Sequence, residues 1–298
     1  MSDNQRIKNF KAFSLIELSI VILIIGILVA GVTQSSRLIR QMALSSARAL
    51  TQSSPVPSIT GLVSWYEPTS EKSFDEIEAS DNSTISNWYD INPTSSNKIN
   101  LTQTDATRRP TYVANGLNGL PSIRFNGTNN YMQTNGFIPE FNSPTFTFFA
   151  VTMNAIGSAA THKAIFCTRY GTPSFVRGWV MYSYNNQYTL FWGNGSLMWI
   201  DVYGQPIING TSDVLSIVYD GVNAVFYKNS ANPATRALAY VLNTLRASSV
   251  GSNTACDGAD NYFFNGYINE IIIYNRNLKN DERQDVEKYL GKKWAIKF

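Results

Sequence analysis

The chain has 298 residues, of which 44% are hydrophobic and 15% are charged. This length allows one large domain or two, and the composition excludes disorder as the main state. A zinc site built from several His and Cys ligands is also excluded, because the chain contains one histidine and two cysteines. Aromatic residues make up 13% of the chain, a share that favours β-structure.

The formal net charge of +3 is concentrated at the N-terminus. Residues 1–50 carry six basic side chains and two acidic ones, Asp3 and Glu17. The remaining residues carry 18 basic and 19 acidic side chains, which gives a net charge of −1. A segment so balanced lacks the basic surface that nucleic acids require, and the sequence predicts no nucleic-acid partner.

An apolar run of twenty residues extends from Phe13 to Val32, with Glu17 as its single charge. A helix of this length spans about 30 Å, the thickness of a bilayer core. Arg6, Lys8 and Lys11 precede the run, which predicts a cytoplasmic N-terminus and a translocated remainder. A secretory signal peptide is the alternative, but its apolar region has only about 7–15 residues. A carboxylate inside a membrane is costly, so Glu17 is a candidate functional residue.

The sequence KAFSLIELSIVILIIGILVAGV resembles the N-terminus of type IV prepilins and of type II secretion pseudopilins. The resemblance covers residues 6–40 and implies that a prepilin peptidase cuts between Ala12 and Phe13, after which the new terminus is methylated. Glu17 holds the family's acidic position, where it would neutralise the α-ammonium of a neighbouring subunit and set the stagger between subunits. Two departures are Ala12, where the family usually has Gly, and Gln34, where many major pilins have Pro.

Helical spacing of apolar residues continues beyond Val32, which predicts one helix over residues 13–50, amphipathic in its second half. At the standard rise of about 1.5 Å per residue this helix is about 57 Å long. Pro55 and Pro57 then end the helix within a short stiff linker over residues 51–60. Residues 1–12 are the predicted leader.

Residues 61–298 show short β-rich runs separated by Gly, Asn, Ser and Pro, without a repeat or an alternating βαβ pattern. Asp220-Gly221 between two such runs predicts a hairpin. Near the C-terminus, NDERQDVEKYLG predicts a short helix that begins at Asn280 or Asp281 as N-cap and stops at Gly291. The predicted fold class is therefore α+β: a long N-terminal helix, an antiparallel two-sheet sandwich and a short C-terminal helix.

Four stretches of this region resemble the concanavalin A-like sandwiches of the laminin-G-like group. They are Gly61–Trp65, Trp88–Asp90, Asn118–Gly127 and Phe264–Arg276. The resemblance implies a jelly-roll fold over residues 61–298. It implies no single function, because this sandwich serves lectins, adhesion modules, glycosidases and passive spacers.

Catalytic residues are not apparent in the sequence. A glycosidase needs two carboxylates at a fixed separation, but Glu76, Glu78 and Asp81 lie in a polar segment where they are expected to be solvated and unpositioned. Glu270 lies alone in a strand, as expected of a polar residue at an edge or in the second sheet. His162 lies in a predicted loop without a recognisable partner. The sequence therefore predicts a protein that is not an enzyme.

Oxygen-bearing residues on the predicted loops raise the alternative of a calcium or sugar site. Asn and Asp also favour turns for backbone reasons, so no metal ligands and no cofactor are predicted, with calcium left as an open alternative. The six tryptophans are expected mainly in the core, Trp192 and Trp199 being the pair expected to be partly exposed. The oxygen-bearing candidates are Asp90, Asn92, Asn126, Asn129, Asn130, Asp257 and Asp260.

Cys167 and Cys256 lie in the part of the chain predicted to be translocated, where an oxidising compartment allows a disulfide. Two cysteines permit one intramolecular pairing, which would close a long loop and stabilise the fold by about 3–5 kcal/mol. The alternative is that both cysteines are buried and reduced.

The two resemblances together imply a pilin-like subunit, minor or at the tip, of a type IV pilus or related fibre. Its lectin-like head would adhere to a surface glycan or protein, and its partners would be a prepilin peptidase and other pilin subunits. It would reside in the bacterial inner membrane and then in a periplasmic or cell-surface fibre. The alternatives are a secretion pseudopilin whose head is structural or contacts cargo, and a single-pass membrane-anchored lectin-like or inactive glycosidase-like protein.

Overall fold

The computed structural model describes residues 15–155, 161–172, 175–196, 199–237, 241–257 and 262–298. The described residues form a long helix α1 (Leu15–Gln52), 18 strands and two shorter helices, α2 (Thr254–Asp257) and α3 (Asn280–Lys293). Contacts divide the chain into two compact units with their boundary between Ala43 and Leu44. The α+β class predicted from the sequence is confirmed.

The first unit contains the part of α1 that ends at Ala43. Every side chain from Leu15 to Val32 is exposed, and an 18-residue window of the helix has a mean hydropathy of 2.9. The hydroxyl of Ser19 donates to the carbonyl of Leu15 at 2.9 Å, so this polar group is satisfied within the helix. Among the described residues, α1 is the one helix long and apolar enough to cross a membrane.

The second unit, residues 44–298, contains two antiparallel sheets of eight strands each. The strands are β1 (Leu62–Tyr66), β2 (Asn87–Trp88), β3 (Leu101–Thr102), β4 (Thr111–Val113), β5 (Ser122–Asn126), β6 (Met132–Thr134), β7 (Phe146–Asn154), β8 (Lys163–Cys167), β9 (Tyr170–Thr172), β10 (Phe175–Arg177), β11 (Trp179–Tyr184), β12 (Gln187–Gly193), β13 (Trp199–Pro206), β14 (Ser212–Tyr219), β15 (Asn223–Lys228), β16 (Ala231–Ala237), β17 (Ser249–Val250) and β18 (Asn265–Tyr274). Sheet I has the order β16-β15-β14-β7-β18-β5-β4, with β1 also paired to β18, and sheet II has the order β13-β12-β11-β8-β17-β6-β3-β2. Strands β9 and β10 form a separate ribbon.

The core lies between the two sheets and is rich in aromatic rings. Strand β11 shows the alternation that builds it, because Trp179 and Met181 face the core whereas Val180 and Tyr182 belong to a separate cluster on the other face. The ring of Trp179 stacks on that of Phe146 from sheet I, with centroids 5.0 Å apart. These contacts join the two sheets into the predicted sandwich.

The turn between β14 and β15 follows the prediction made from Asp220-Gly221. Gly221 has φ +98°, a backbone conformation that favours glycine. The carboxylate of Asp220 accepts hydrogen bonds from the backbone N–H groups of Val222 at 2.8 Å and Asn223 at 2.6 Å. These bonds favour the charged form and lower the pKa of Asp220.

Helix α3 differs at both ends from its prediction. It begins at Asn280 with Lys279 as the N-cap residue, and the carboxylate of Glu282 accepts the Lys279 N–H at 2.9 Å. The helix also continues past Gly291 to Lys293. A Cβ at Gly291 would lie 2.7 Å from the ring of Phe298, so this glycine permits a close approach of the C-terminus instead of ending the helix.

The last turns of α1 and the segment 51–60, predicted as a linker, pack against the sandwich. Ala47 is 2% exposed, and the guanidinium of Arg48 donates to the carbonyl of Thr69 at 2.8 Å. Further along, the Tyr274 hydroxyl donates to the carbonyl of Val56 at 2.9 Å. The end of α1 is therefore a structural part of the second unit.

The two outer faces of the sandwich have different surroundings. On sheet I, α3 covers the outer face, and the Ser216 hydroxyl of β14 donates to the Glu287 carboxylate of α3 at 2.7 Å. Sheet II carries the short helix α2 and the cluster that contains Tyr182. The outer face of sheet II therefore points away from the side on which α3 packs.

Candidate functional site

The N-terminal helix presents one carboxylate within its apolar surface. Glu17 lies in the first turn of α1 and is exposed, as are the apolar side chains around it. The predicted processing residues Ala12 and Phe13 lie outside the described residues. A carboxylate on a surface of this kind is costly in hydrocarbon unless it is paired.

Glu270 is the centre of a buried hydrogen-bond network, and its expected position as a lone edge or second-sheet residue is wrong. It lies on β18 in the middle of sheet I and is 1% exposed. One carboxylate oxygen accepts from the Trp65 indole at 2.7 Å and from the Tyr289 hydroxyl at 2.8 Å. The other accepts from the Trp294 indole at 2.7 Å and lies 3.0 Å from the Lys293 ammonium. With both oxygens occupied, Glu270 fixes the position of α3 and is not placed to react with a substrate.

Glu67 joins the same network and was not recognisable from the sequence. Its carboxylate lies 2.9 Å from the Lys293 ammonium and accepts the Thr69 N–H at 2.6 Å. All three charged side chains of the network, Glu67, Glu270 and Lys293, are fully buried. Burial, together with the two carboxylates, raises the pKa of Tyr289 well above its ordinary value. No local pattern predicts Glu67, because its partner lies more than 200 residues away along the chain.

Two carboxylates of the acidic segment Glu76–Asp81 accept hydrogen bonds from neighbouring loops. Glu78 accepts hydrogen bonds from the Ser86 hydroxyl at 2.6 Å and from the Ser86 N–H at 3.0 Å. Asp81 accepts the Ala114 N–H at 2.9 Å. The expectation that these carboxylates are unpositioned is therefore wrong for Glu78 and Asp81, which organise the surrounding loops, whereas Glu76 is exposed.

Among the described candidate calcium ligands, Asp90 and Asn126 accept hydrogen bonds from backbone N–H groups. Asp90 is buried and accepts the N–H groups of Trp65 and Asn92, both at 2.9 Å, and burial raises the pKa of Asp90. Asn126 accepts the N–H of Asn129 at 3.1 Å within a turn. Within residues 15–298, apart from the undescribed gaps, no group of three or more His, Cys, Asp or Glu side chains is arranged to hold a metal ion. Asp260 lies outside the described residues.

Trp192 is fully buried, so its expected partial exposure is wrong. It lies on the core side of β12, with ring centroids 5.3 Å from Tyr219 and 6.3 Å from Trp179. The alternation of β12 explains this position, because Tyr188, Leu190 and Trp192 all belong to the core. The side chain of Trp199 lies outside the described residues.

His162 belongs to a cluster of aromatic rings on the outer face of sheet II, although the sequence suggested no partner for it. Its ring stacks on Tyr184 with centroids 4.0 Å apart and planes 4° apart. The ring centroids of Phe191 and Tyr262 lie 4.9 Å and 5.3 Å from that of His162, and the centroid of the buried Tyr182 lies 5.0 Å from it. We call the four partly exposed rings of His162, Tyr184, Phe191 and Tyr262 the ring platform.

Cys167 and Cys256 form a disulfide, which is one of the two alternatives that the sequence left open. This disulfide lies beneath the ring platform. It connects the end of β8 to helix α2 and belongs to the same buried cluster as Val180 and Tyr182. Phe191 and Tyr262 pack against this cluster. The crosslink therefore supports the platform from below.

Comparison with known families gives one match at the N-terminus. The prokaryotic N-terminal methylation motif matches residues 7–33, a range that includes the Ala12–Phe13 junction and Glu17. The chain has a prepilin-type N-terminus. This segment is followed by a β-sandwich, as the two resemblances implied. Comparison with curated protein sequences gives no match.

Solved structures that resemble the chain contain β-sandwich domains. The botulinum neurotoxin serotype D binding domain has a TM-score of 0.53 at 10% identity, over 80% of this chain and 53% of that chain. A Trypanosoma rangeli sialidase in complex with sialic acid has a TM-score of 0.52 at 13% identity, over 78% of this chain and 33% of that chain. The chain thus spans about half of the toxin domain and a third of the sialidase. At these identities the likeness establishes the fold alone.

A third structure is domain 4 of an extracellular GH43 arabinanase from Geobacillus stearothermophilus, in complex with arabinotriose. It has a TM-score of 0.49 at 16% identity, over 76% of this chain and 98% of that chain.

Proposed function

We propose that the protein is a minor or tip subunit of a type IV pilus or related fibre, with a head that adheres to a surface glycan or protein. The observation that carries this proposal is the prepilin-type motif over residues 7–33, which supports a pilin- or pseudopilin-like subunit. A prepilin peptidase would cut between Ala12 and Phe13, and other pilin subunits would then pack against the helix. The subunit would pass from the bacterial inner membrane into a fibre.

The exposed surface of α1 supports assembly through the helix. Side chains from Leu15 to Val32 are exposed and almost all apolar, so they require either lipid or other helices around them. Cleavage before Phe13 would place an α-ammonium in the same apolar surroundings. Pairing that ammonium with Glu17 of a neighbouring subunit would lower the cost of burying both charges.

The size of the head supports a low-copy or tip position. The second unit contains residues 44–298, which is far larger than the helix that would lie in the fibre. A head of this bulk on every subunit would crowd the wall of a fibre. The fold is compatible with adhesion, since similar sandwiches occur in a toxin binding domain and in a sialidase solved with sialic acid.

A binding role is favoured over catalysis by the acidic side chains. The carboxylates of Glu67, Glu78 and Glu270 are engaged in hydrogen bonds that hold the fold together. A glycosidase requires a pair of carboxylates available to the substrate. We therefore expect the head to bind its ligand without cleaving it.

Assembly of the full chain in its own cells tests the proposal. Wild-type protein is expected in the fibre fraction sheared from the cell surface, whereas Glu17→Val should reduce its amount there by about ten-fold or more, because the ammonium loses its partner. Ser19→Ala is the matched control, because Ser19 is a polar residue of the same helix that bonds to its own backbone. Equal amounts of wild type and Glu17→Val in the fibres would contradict the proposed role, and retention of both in the cell envelope would favour a pseudopilin or a membrane anchor.

A further inference from the structure

We infer that the ring platform on the outer face of sheet II is a saccharide-binding site on which a sugar ring lies against Tyr184 and its neighbours. This inference rests on the proposed function, because it assigns the ligand class and the location of binding in the displayed head. The rings come from strands β11 and β12 and from the positions just before β8 and β18.

The arrangement of the rings favours a flat ligand with one apolar face. The parallel stack of His162 on Tyr184 is flanked by Phe191 at 69° and Tyr262 at 59° to the imidazole plane. All four rings are partly exposed, so part of each ring is open to solvent, although His162 and Tyr184 cover one face of each other. Aromatic faces carry partial negative charge and attract the weakly positive C–H groups that line one face of a pyranose or furanose.

The chemistry of the rim matches the remaining groups of a sugar. Tyr184 and Tyr262 carry phenolic hydroxyls, which can donate hydrogen bonds to sugar hydroxyls and accept them. Aromatic side chains combined with a few polar groups are typical of binding sites for small molecules.

The platform is held in place before any ligand binds. Tyr182 lies beneath it with 1% exposure, in one cluster with the disulfide of Cys167 and Cys256. The N–H of Ala164 donates to the carbonyl of Tyr262 at 2.7 Å, which fixes the segment before β18 to the start of β8. A surface that is ordered in advance loses little conformational entropy on binding.

Within the second unit, the platform and helix α3 lie on different outer faces of the sandwich. Helix α3 and the last turns of α1 cover the other side of the sandwich, where Tyr289 contacts both Glu270 and Thr51. Within residues 44–298, neither α3 nor the last turns of α1 therefore pack on the face that carries the platform.

The decisive experiment measures binding of the full chain, in detergent micelles, to an array of neutral and sialylated oligosaccharides. We expect the wild type to bind at least one of them and Tyr184→Ala to bind it about ten-fold more weakly. Tyr267→Ala is the matched control, because Tyr267 is also partly exposed but lies on sheet I, next to Arg124. Equal binding by the wild type and Tyr184→Ala would overturn the platform site while leaving glycan binding by the head intact.

A second measurement does not depend on how the variant folds. Because the chain has one histidine, labelling with ¹³C-histidine gives an NMR signal that belongs to His162 alone. Addition of the oligosaccharide that binds best is expected to shift this signal at saturation. An unmoved signal, or an array on which the wild type binds nothing, would overturn the inference. Neither result would alter the assembly of the fibre measured with Glu17→Val.

Discussion

Lys293 lies between two buried carboxylates, and its removal should be among the most damaging single changes in the head. Its ammonium is 2.9 Å from Glu67 and 3.0 Å from Glu270, and all three side chains are fully buried. Lys293→Met would leave two like charges near each other without a counter-ion. We expect the free energy of unfolding to fall by about 3–5 kcal/mol, measured by denaturant unfolding of the full chain in detergent.

Lys288→Met is the matched control for this change. Lys288 lies on the same helix and pairs with Asp285 at 3.2 Å, but both side chains are largely exposed. Exposed pairs of this kind contribute about 0–1 kcal/mol, so the control should leave unfolding almost unchanged. If Lys288→Met and Lys293→Met lowered the free energy of unfolding by similar amounts, the buried contacts of Lys293 would not be important for stability.

The pair of Arg276 and Glu282 should make stability depend on pH in the acid range. The hydrogen bonds from Arg276 lower the pKa of Glu282 from 4.5 to about 2. Because the folded-state pKa is the lower one, the stabilisation is present above about pH 4.5 and is lost as the pH falls towards 2. The wild type should therefore melt at a higher temperature than Glu282→Gln at pH 5, and this difference should shrink as the pH falls to about 2. A difference that stays constant over this range would exclude the linkage.

Single residues show where sequence reasoning reaches its limit. Trp192 is buried because of the alternation of β12, yet its neighbouring Gly-rich stretch suggested a partly exposed loop. His162 meets Tyr184 and Tyr262 only after three segments come together: the start of β8, strand β11 and the residues before β18. No local pattern contains that information, so the ring platform could not be predicted. The prepilin-type motif could be predicted, because all of its residues are contiguous.

At the scale of elements, the disulfide connects β8 to α2 across a sequence separation of 89 residues. In the unfolded chain such a crosslink removes much of the freedom of a long loop. We expect Cys167→Ala/Cys256→Ala to lower the free energy of unfolding by about 2–5 kcal/mol.

Thermal unfolding with and without a reducing agent measures this effect. Reduction should lower the melting temperature of the wild type and should leave that of the double variant unchanged. A wild type that is insensitive to a reductant under unfolding conditions would show that the bond does not stabilise the fold.

The end of α1 belongs to the head, and a buried charge there should disturb it. Ala47 is 2% exposed, whereas Ala49, on another side of the same helix, is exposed. Ala47→Glu should lower the free energy of unfolding by about 2–3 kcal/mol, and Ala49→Glu should have little effect. Limited proteolysis at the segment 51–60 offers a second readout, because undocking would expose it. Equal behaviour of the two variants would mean that the helix end does not pack on the sandwich.

Most elements of the sandwich could be predicted, but not all. Long strands such as β7 and β18 show strong β-propensity, and the Asp220-Gly221 turn has a specific local signature. The two-residue strands β2, β3 and β17 exist only through pairing with distant segments, and nothing local marks them. The ends of α3 were misjudged because Gly291 is needed for contact with Phe298, which is a tertiary requirement.

At the scale of the whole molecule, two parts with different physical chemistry are joined in one chain. The exposed surface of α1 is apolar and suited to lipid or to other helices, whereas the sandwich buries its own core and carries the ring platform. This division fits a subunit that is anchored first and displayed later. The fold of both parts could be predicted from sequence, but the ring platform required the assembled sheets.

The mature N-terminus is the measurement that tests a pilin-class subunit most directly. Mass spectrometry of the protein, taken from cells with and without the prepilin peptidase, gives its first residue and its methylation. We predict a chain that begins at N-methylated Phe13 when the peptidase is present and an uncut chain when it is absent. A terminus at Met1 or Ser2 in both strains would contradict processing and would leave a membrane-anchored protein in which Glu17 needs another explanation.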